Sequence, residues 1–237
     1  MTGRPLGAPG RIERNSSLNP PTAWAHRCRS AAVLWATEIL RCPFLKYTRP
    51  DSRRHRGFPA IDVQKAIDAA YHAAEGPRNN PDAEKNIGRL LAAWRRDRRP
   101  IIHIRHDSTF EASAYRPGQE GNNFKDEVSP VEGETVIPKR TNSAFIGTGL
   151  EQYLRESRLE TLIITGVSTN NSVEATVRMA GNLGFQTYLV ADACFTFARC
   201  DFHGRLRTAD EVHSMSLSNL HEEYCTVLDT AAVLADG

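Results

Sequence analysis

Short apolar runs alternate with amphipathic ones along the chain after about residue 57. Six of these runs have the length and side chains of buried strands. They cover 60–64, 101–106, 134–137, 162–167, 185–191 and 224–228. The pattern therefore predicts a sheet of about six strands.

Amphipathic segments separate most of these strands. Ile87, Leu90, Leu91 and Trp94 recur at helical spacing, which predicts a helix over 83–97. Further helices are predicted after Thr148, over 172–183 with Gly184 as the stop, and over 208–220 behind a Thr-x-x-Glu capping box. Strands that alternate with helices indicate one three-layer α/β/α domain with a Rossmann-like parallel sheet.

Residues 107–133 form a long polar stretch inside this regular pattern. A loop of this length in a compact domain is usually functional. Its candidate pocket residues are Phe110, Tyr115, Asn123 and Phe124. The three aromatic rings among them can wall a small planar substrate. The same rings can equally pack in a dimer interface.

Charge divides the chain unevenly. Residues 1–56 hold 11 Lys and Arg against 3 Asp and Glu, whereas the remainder is acidic overall. We expect residues 1–57 to be a disordered or non-native extension of a domain over 58–237, with a targeting peptide as the alternative. Pro59 supports this boundary, because proline is poorly tolerated in a central strand. We hypothesise a misassigned start or a frame error before residue 58.

Composition narrows the location and the partners. No apolar run reaches 18 residues, so no transmembrane helix and no membrane partner are expected. The five cysteines are scattered without a CxxC pair, which favours a reducing, cytoplasmic setting. The basic segment lacks interleaved aromatic residues, so a nucleic-acid partner is not predicted.

Three chemically useful residues fall at or near strand ends, where ligands bind in parallel sheets: Asp62, Lys139 and Ser172. Singly, each has an ordinary structural interpretation as a turn residue, a solvated charge or a helix cap. Together they combine a carboxylate base, a neighbouring ammonium and a hydroxyl at a helix N-terminus. The chain has no GxSxG, GxGxxG or P-loop motif, and no cofactor is predicted.

About three quarters of the chain resembles the isochorismatase-like cysteine hydrolase family. The resemblance rests on AIDVQ at 60–64, VIPKRTNSAFIGTGLEQYL at 136–154, ITGVSTNNSVEATVRMAGNLGF at 164–185 and VADA at 190–193. It implies an Asp–Lys–Cys triad in which Asp62 is the base, Lys139 its partner and Ser172 stands at the nucleophile position. It also implies a cis peptide bond between Val167 and Ser168.

The resemblance has further implications for the site and the partners. The N–H groups of Ser168 and Ser172 would form an oxyanion hole. From its place beside Ser172, and not from the resemblance, Asn171 is expected to hold substrate or to cap the helix. The expected substrates are small amides, ureido compounds or nicotinamide-like rings. A homodimer or homotetramer is the expected assembly.

Serine at position 172 leaves three interpretations open, because a hydroxyl is much harder to ionise than a thiol. Ser172 is a nucleophile that attacks a C–N bonded carbonyl with help from Asp62. Alternatively, Asp62 acts as an acid in an isochorismate-type vinyl ether hydrolase. In the third interpretation the protein is catalytically silent and binds a metabolite or a protein partner.

Histidines near the end of the second predicted strand raise the question of a metal. Nicotinamidase-type members of the family carry an Asp-x-His…His cluster, and His103, His106 and Asp107 do not reproduce its spacing. We therefore predict no bound metal, and we interpret each histidine as a structural residue or a pocket wall. Cys194 lies outside the nucleophile position, and we interpret it as a buried small residue.

Overall fold

The computed structural model describes residues 55–236, where six parallel strands form one sheet in the order β3-β2-β1-β4-β5-β8. These strands are β1 (Arg56–Ile61), β2 (Ile101–His106), β3 (Thr135–Lys139), β4 (Thr161–Val167), β5 (Gln186–Phe195) and β8 (Thr226–Leu228). A small hairpin, β6 (Arg199–Cys200) and β7 (Leu206–Arg207), lies after β5. The predicted extension 1–57 lies outside the described residues except for its last three positions.

Helices cover both faces of the sheet, which confirms the predicted three-layer architecture. They are α1 (Ala83–Arg96), α2 (Leu150–Glu156), α3 (Glu174–Asn182), α4 (Ala209–Leu220) and α5 (Thr230–Ala235). One apolar core packs α2, α3 and α4 on one face, and a second packs α1 and α5 on the other. None of the helices within residues 55–236 has the length and apolar character that a membrane crossing requires.

Strand β1 begins at Arg56 and runs through Pro59, although proline is poorly tolerated in a central strand. Phe58 donates its N–H to the carbonyl of Pro100, just before β2, and Asp62 donates to that of Ile104 within β2. Residue 59 therefore faces β4, where proline removes one hydrogen bond. Pairing with β4 is interrupted at 58–59 and continues on both sides of that position, so the sheet tolerates the loss.

The helix predicted from Ser172 begins differently from the prediction. Thr169–Val173 form a single π-helical turn, and regular α-helix starts only at Glu174. The N–H of Val173 donates to the carbonyl of Ser168, five residues back, at 3.3 Å. Single π turns of this kind occur frequently at functional sites. The peptide bond between Val167 and Ser168 is cis.

Candidate active site

The candidate residues meet at the carboxyl edge of the sheet. Asp62 directly follows β1, Lys139 ends β3, and Ser172 lies in the turn after β4. From β1 the strand order runs to β2 and β3 on one side, and β4 then begins the other side of the sheet. Asp62 and Ser172 follow β1 and β4 and so lie at the switch point of the parallel sheet. Gly166 in β4 permits this approach, because a Cβ there would lie 2.2 Å from the carbonyl oxygen of Ile61.

Lys139 connects the three residues. Its Nζ lies 2.7 Å from Oδ2 of Asp62 and 3.2 Å from Oγ of Ser172. It also donates to the carbonyl of Thr141 at 3.0 Å and lies 3.5 Å from Nδ1 of His106. Lys139, Asp62 and Ser172 are all buried, so water screens these interactions weakly.

Asp62 has the environment of a base. Burial raises the pKa of its carboxyl group, and the charge and hydrogen bond of Lys139, with a smaller contribution from Ser172, partly offset this rise. Its Oδ1 is buried and, among residues 55–236, has no hydrogen-bond partner. The backbone of Asp62 is in the left-handed region at φ 55°, a conformation that aspartate tolerates better than most residues. One carboxylate oxygen is therefore held by Lys139, and the other is left open to accept a proton.

Buried polar contacts hold the turn that carries Ser172. The carbonyl of Ser172 accepts the hydroxyl of Thr176 at 2.7 Å. Oγ1 of Thr169 lies 2.8 Å from Nδ1 of His213, and Ser216 donates to the Thr169 carbonyl at 3.2 Å. Helix α4 thus fixes the start of the turn, and α3 fixes its end.

A cavity of about 310 Å³ opens beside this turn. Ser168 and Asn171 line it, as predicted residues of the site, and rings of His72 and Phe197 form part of its wall. The assignment of the Ser168 and Ser172 N–H groups to an oxyanion hole stays a prediction. A separate hollow of about 440 Å³ is lined mainly by charged side chains. Within residues 55–236, Asp62, Lys139 and Ser172 line neither the cavity nor this hollow.

The four pocket candidates on the 107–133 loop take different places. Tyr115 is buried with its ring edge-on to His106, at 5.5 Å between centroids. Phe124 packs against His103 instead, Asn123 is exposed, and Phe110 is 71% exposed. Within the described residues, none of these four lines the 310 Å³ cavity. Their roles in substrate binding stay predictions.

Two residues that shape the site were not predicted from the sequence to do so. His106, considered only as a metal ligand, a structural residue or a pocket wall, contacts Lys139 directly. Asn122, next to the predicted Asn123, is buried and donates to the carbonyls of His106 and Tyr115 at 3.0 and 2.8 Å. The position of His106 at the end of an apolar strand was the available signal. No sequence signal separates Asn122 from its neighbour.

The other ionisable groups considered from the sequence have structural surroundings. His103 is buried with its Nε2 2.8 Å from Glu134. Burial raises the pKa of the Cys194 thiol well above its ordinary value, and that of Cys225 to about 12. Over residues 55–236, no three His, Cys, Asp or Glu side chains gather as metal ligands would.

Comparisons with known proteins show which family this chain is similar to. Residues 60–232 match the Isochorismatase domain. The uncharacterized isochorismatase family protein YrdC of Bacillus subtilis is 41% identical over 74% of this chain and 92% of its own length. The ureidoacrylate amidohydrolase RutB of Pseudomonas syringae is 31% identical over 59% of this chain and 52% of its own.

Solved structures give the same result. A crystal structure of an isochorismatase-family protein from Chromobacterium violaceum superposes with a TM-score of 0.75 at 56% identity, covering 79% of this chain and 95% of that one. An isochorismatase from Pseudomonas putida superposes with a TM-score of 0.69 at 33% identity, over 76% and 90% of the two chains. The chain belongs to the isochorismatase family of hydrolases.

Proposed function

We propose that this protein hydrolyses a C–N bond in a small amide or ureide, using Asp62, Lys139 and Ser172 to form and break an acyl-enzyme. The observation that carries the proposal is the buried carboxylate of Asp62. Lys139 binds one of its oxygens at 2.7 Å, the other has no hydrogen-bond partner within residues 55–236, and the same ammonium contacts Ser172.

In the first half of the reaction, Oγ of Ser172 attacks the carbonyl carbon of the substrate. The hydroxyl proton passes to Oδ1 of Asp62, and the carbonyl π electrons move onto its oxygen. We assign the N–H groups of Ser168 and Ser172 to that oxyanion. When the intermediate collapses, the C–N bond breaks and the leaving nitrogen takes the proton from Asp62. The acyl group then remains as an oxygen ester on Ser172, and water must release it.

Two features support hydroxyl chemistry in place of a thiol. Burial raises the pKa of Asp62, which makes the carboxylate a stronger base than an exposed aspartate. Lys139 donates to Oγ of Ser172, so its charge stabilises the alkoxide as it develops. RutB, which is named for an amidohydrolase activity on ureidoacrylate, supports amides and ureides as the substrate class.

Turnover of a panel of small amides and ureides tests the proposal. We expect the wild type to release amine or ammonia, and Ser172→Ala to lose at least about 100-fold in kcat/KM. Ser172→Cys should keep or raise turnover, because a thiol is the easier nucleophile to ionise. Ser214→Ala, an exposed serine on α4, is the matched control and should match the wild type.

Three results would contradict this proposal or favour one of the alternative functions. Full turnover of the panel by Ser172→Ala would refute the nucleophilic role of Ser172. Cleavage of isochorismate that survives Ser172→Ala but not Asp62→Asn would indicate the vinyl ether reaction. If neither the wild type nor Ser172→Cys turns over any compound and Asp62→Asn abolishes ligand binding, the protein is a silent homologue.

A further inference from the structure

Within residues 55–236, Nζ of Lys139 has more hydrogen-bond acceptors near it than hydrogens to donate. An ammonium group has three hydrogens and accepts none. Four acceptors surround Nζ: Asp62, Thr141, Ser172 and, at the longest distance of 3.5 Å, Nδ1 of His106. His106 is therefore the acceptor that the ammonium satisfies least. The lone pair of its Nδ1 lies beside the reacting groups and is held only by this long contact, which a proton from water can replace.

The position of His106 is fixed by contacts on its main chain. Its N–H donates to Oε1 of Gln64 at 2.7 Å, and its carbonyl accepts from Nε2 of the same side chain at 3.1 Å. Asn122 donates to that carbonyl at 3.0 Å. Gln64 is completely buried and joins the segment after β1 to the end of β2. These hydrogen bonds fix the backbone of His106 and thereby restrict where its imidazole can lie relative to Asp62.

The groups around His106 keep its ring neutral near pH 7. Burial lowers the pKa of His106, and the positive charge of Lys139 lowers it further. The negative charges of Asp62 and Asp107 raise the pKa and partly offset this effect. The fourth neighbour, Tyr115, stays protonated, because burial and the charge of Asp62 raise its pKa well above the usual value. Since Lys139 can only donate, Nδ1 is the acceptor nitrogen and Nε2 carries the hydrogen.

We propose that His106 is the general base of the second half of the reaction, in which water releases the acyl group from Ser172. The inference rests on the proposed function and adds a fourth catalytic residue to it. The proton that Asp62 takes during acylation leaves with the amine. Asp62 is then a carboxylate again, paired with Lys139. His106 is the second base at the site, because His106 and Ser172 contact the same ammonium nitrogen.

The proposed step is balanced in atoms and charge. The water oxygen forms a bond to the ester carbon, and one water proton moves to Nδ1 of His106, which becomes an imidazolium. The tetrahedral intermediate expels Oγ of Ser172 by breaking the C–O bond. The imidazolium returns its proton to Oγ, which regenerates the hydroxyl and the neutral ring. Lys139 remains protonated throughout and keeps its contact with Asp62.

Serine makes a strong base more important in this step than cysteine would. An oxygen ester is a weaker electrophile than a thioester, and an alkoxide leaves less readily than a thiolate. Because burial lowers the pKa of His106, its imidazole is in the neutral, proton-accepting form near pH 7.

Burst kinetics with 4-nitrophenyl acetate test the inference. The initial nitrophenolate burst reports acylation of Ser172, and the slow linear phase reports release of acetate. We expect His106→Gln to keep the burst amplitude and rate within about twofold while the slow phase falls about 100-fold. Acetyl-Ser172 should then accumulate in the intact mass spectrum. His106→Asn provides a second variant if the first fails to fold.

Controls separate this role from a structural one. His103→Gln changes the other histidine of β2, which is buried, and should leave the ratio of the two phases unchanged. The slow phase of the wild type should rise with pH through a pKa below 6.5, and His106→Gln should lose this dependence.

Two outcomes would overturn the inference, and they are distinct. A wild-type burst followed by an unchanged slow phase in His106→Gln, or an equal fall in both phases, overturns the role of His106 alone. No burst and no acetyl-Ser172 in the wild type, with no turnover of the amide panel, overturns the proposed function and this inference with it.

Discussion

The ion pair between Asp62 and Lys139 is the interaction whose removal should affect stability most. The side chains are 6% and 0% exposed, and the atoms lie 2.7 Å apart. Asp62→Asn removes the negative charge and leaves the ammonium buried. Breaking a buried pair in this way costs about 3–5 kcal/mol. For a chain of this size, each kcal/mol corresponds to about 2–4 °C in Tm, so we expect a fall of about 6–20 °C.

A double-mutant cycle isolates the pair. Lys139→Met leaves the carboxylate alone, and Asp62→Asn combined with Lys139→Met removes both charges. Replacing both members of a buried pair is often close to neutral, so the double variant should melt above at least one of the single variants. Because the folded state holds the proton of Asp62 more tightly than the unfolded chain does, acid pH should relieve the loss in Lys139→Met.

Thermal melting at pH 7 in low and high salt is the assay. Burial shields the pair from salt, so the cost of Asp62→Asn should change little between the two conditions. The exposed pair of Glu151 and Arg155, 3.4 Å apart, is the control, and Glu151→Gln should shift stability by less than about 0.5 kcal/mol. An Asp62→Asn variant that melts within about 2 °C of the wild type, with fully additive effects in the cycle, would refute the argument.

Three further predictions concern the framework around the site. Gly166→Ala should cost about 3 kcal/mol or more in the free energy of unfolding, because its Cβ would meet the backbone of β1; Gly149→Ala, with open space, should be close to neutral in the same urea titration. Burial favours a higher pKa for Glu134, but hydrogen bonds, chiefly from Arg95, outweigh it and lower the pKa to about 2. Ionised Glu134 therefore stabilises the fold above pH 4.5, and this stabilisation is lost as the pH falls toward 2. Glu134→Gln should flatten the Tm profile over that range, and an unchanged profile would contradict this. Thr169→Val removes the contact with His213 and should cost about 1–3 kcal/mol by urea unfolding, whereas a change below about 0.5 kcal/mol would show that the contact is dispensable.

Much of the fold follows from local patterns. Short apolar runs indicated all six strands of the main sheet, although the first strand is Arg56–Ile61 and not 60–64. Helical spacing of apolar residues indicated the helix over 83–97, because burial of one face imposes a period of 3.6. The capping box of Thr208 and Glu211 is present as predicted, since its hydrogen bonds lie within four residues. Features that depend on the neighbouring strands were harder to predict from the sequence. Pro59 is an example, because its cost depends on which strand its missing N–H would have faced.

The sequence by itself determined the family of this protein and the three residues that merit attention at the strand ends. Only the tertiary structure decided how they meet. Lys139 contacts Asp62 and Ser172 because β3, β1 and β4 end at the same edge of the sheet, at separations of 77 and 33 residues along the chain. The strand order also brings His106 to that ammonium, and the loop fold buries Asn122 while leaving Phe110 exposed. Local side-chain patterns encode burial, whereas the contacts between distant residues arise from the order in which the strands pair.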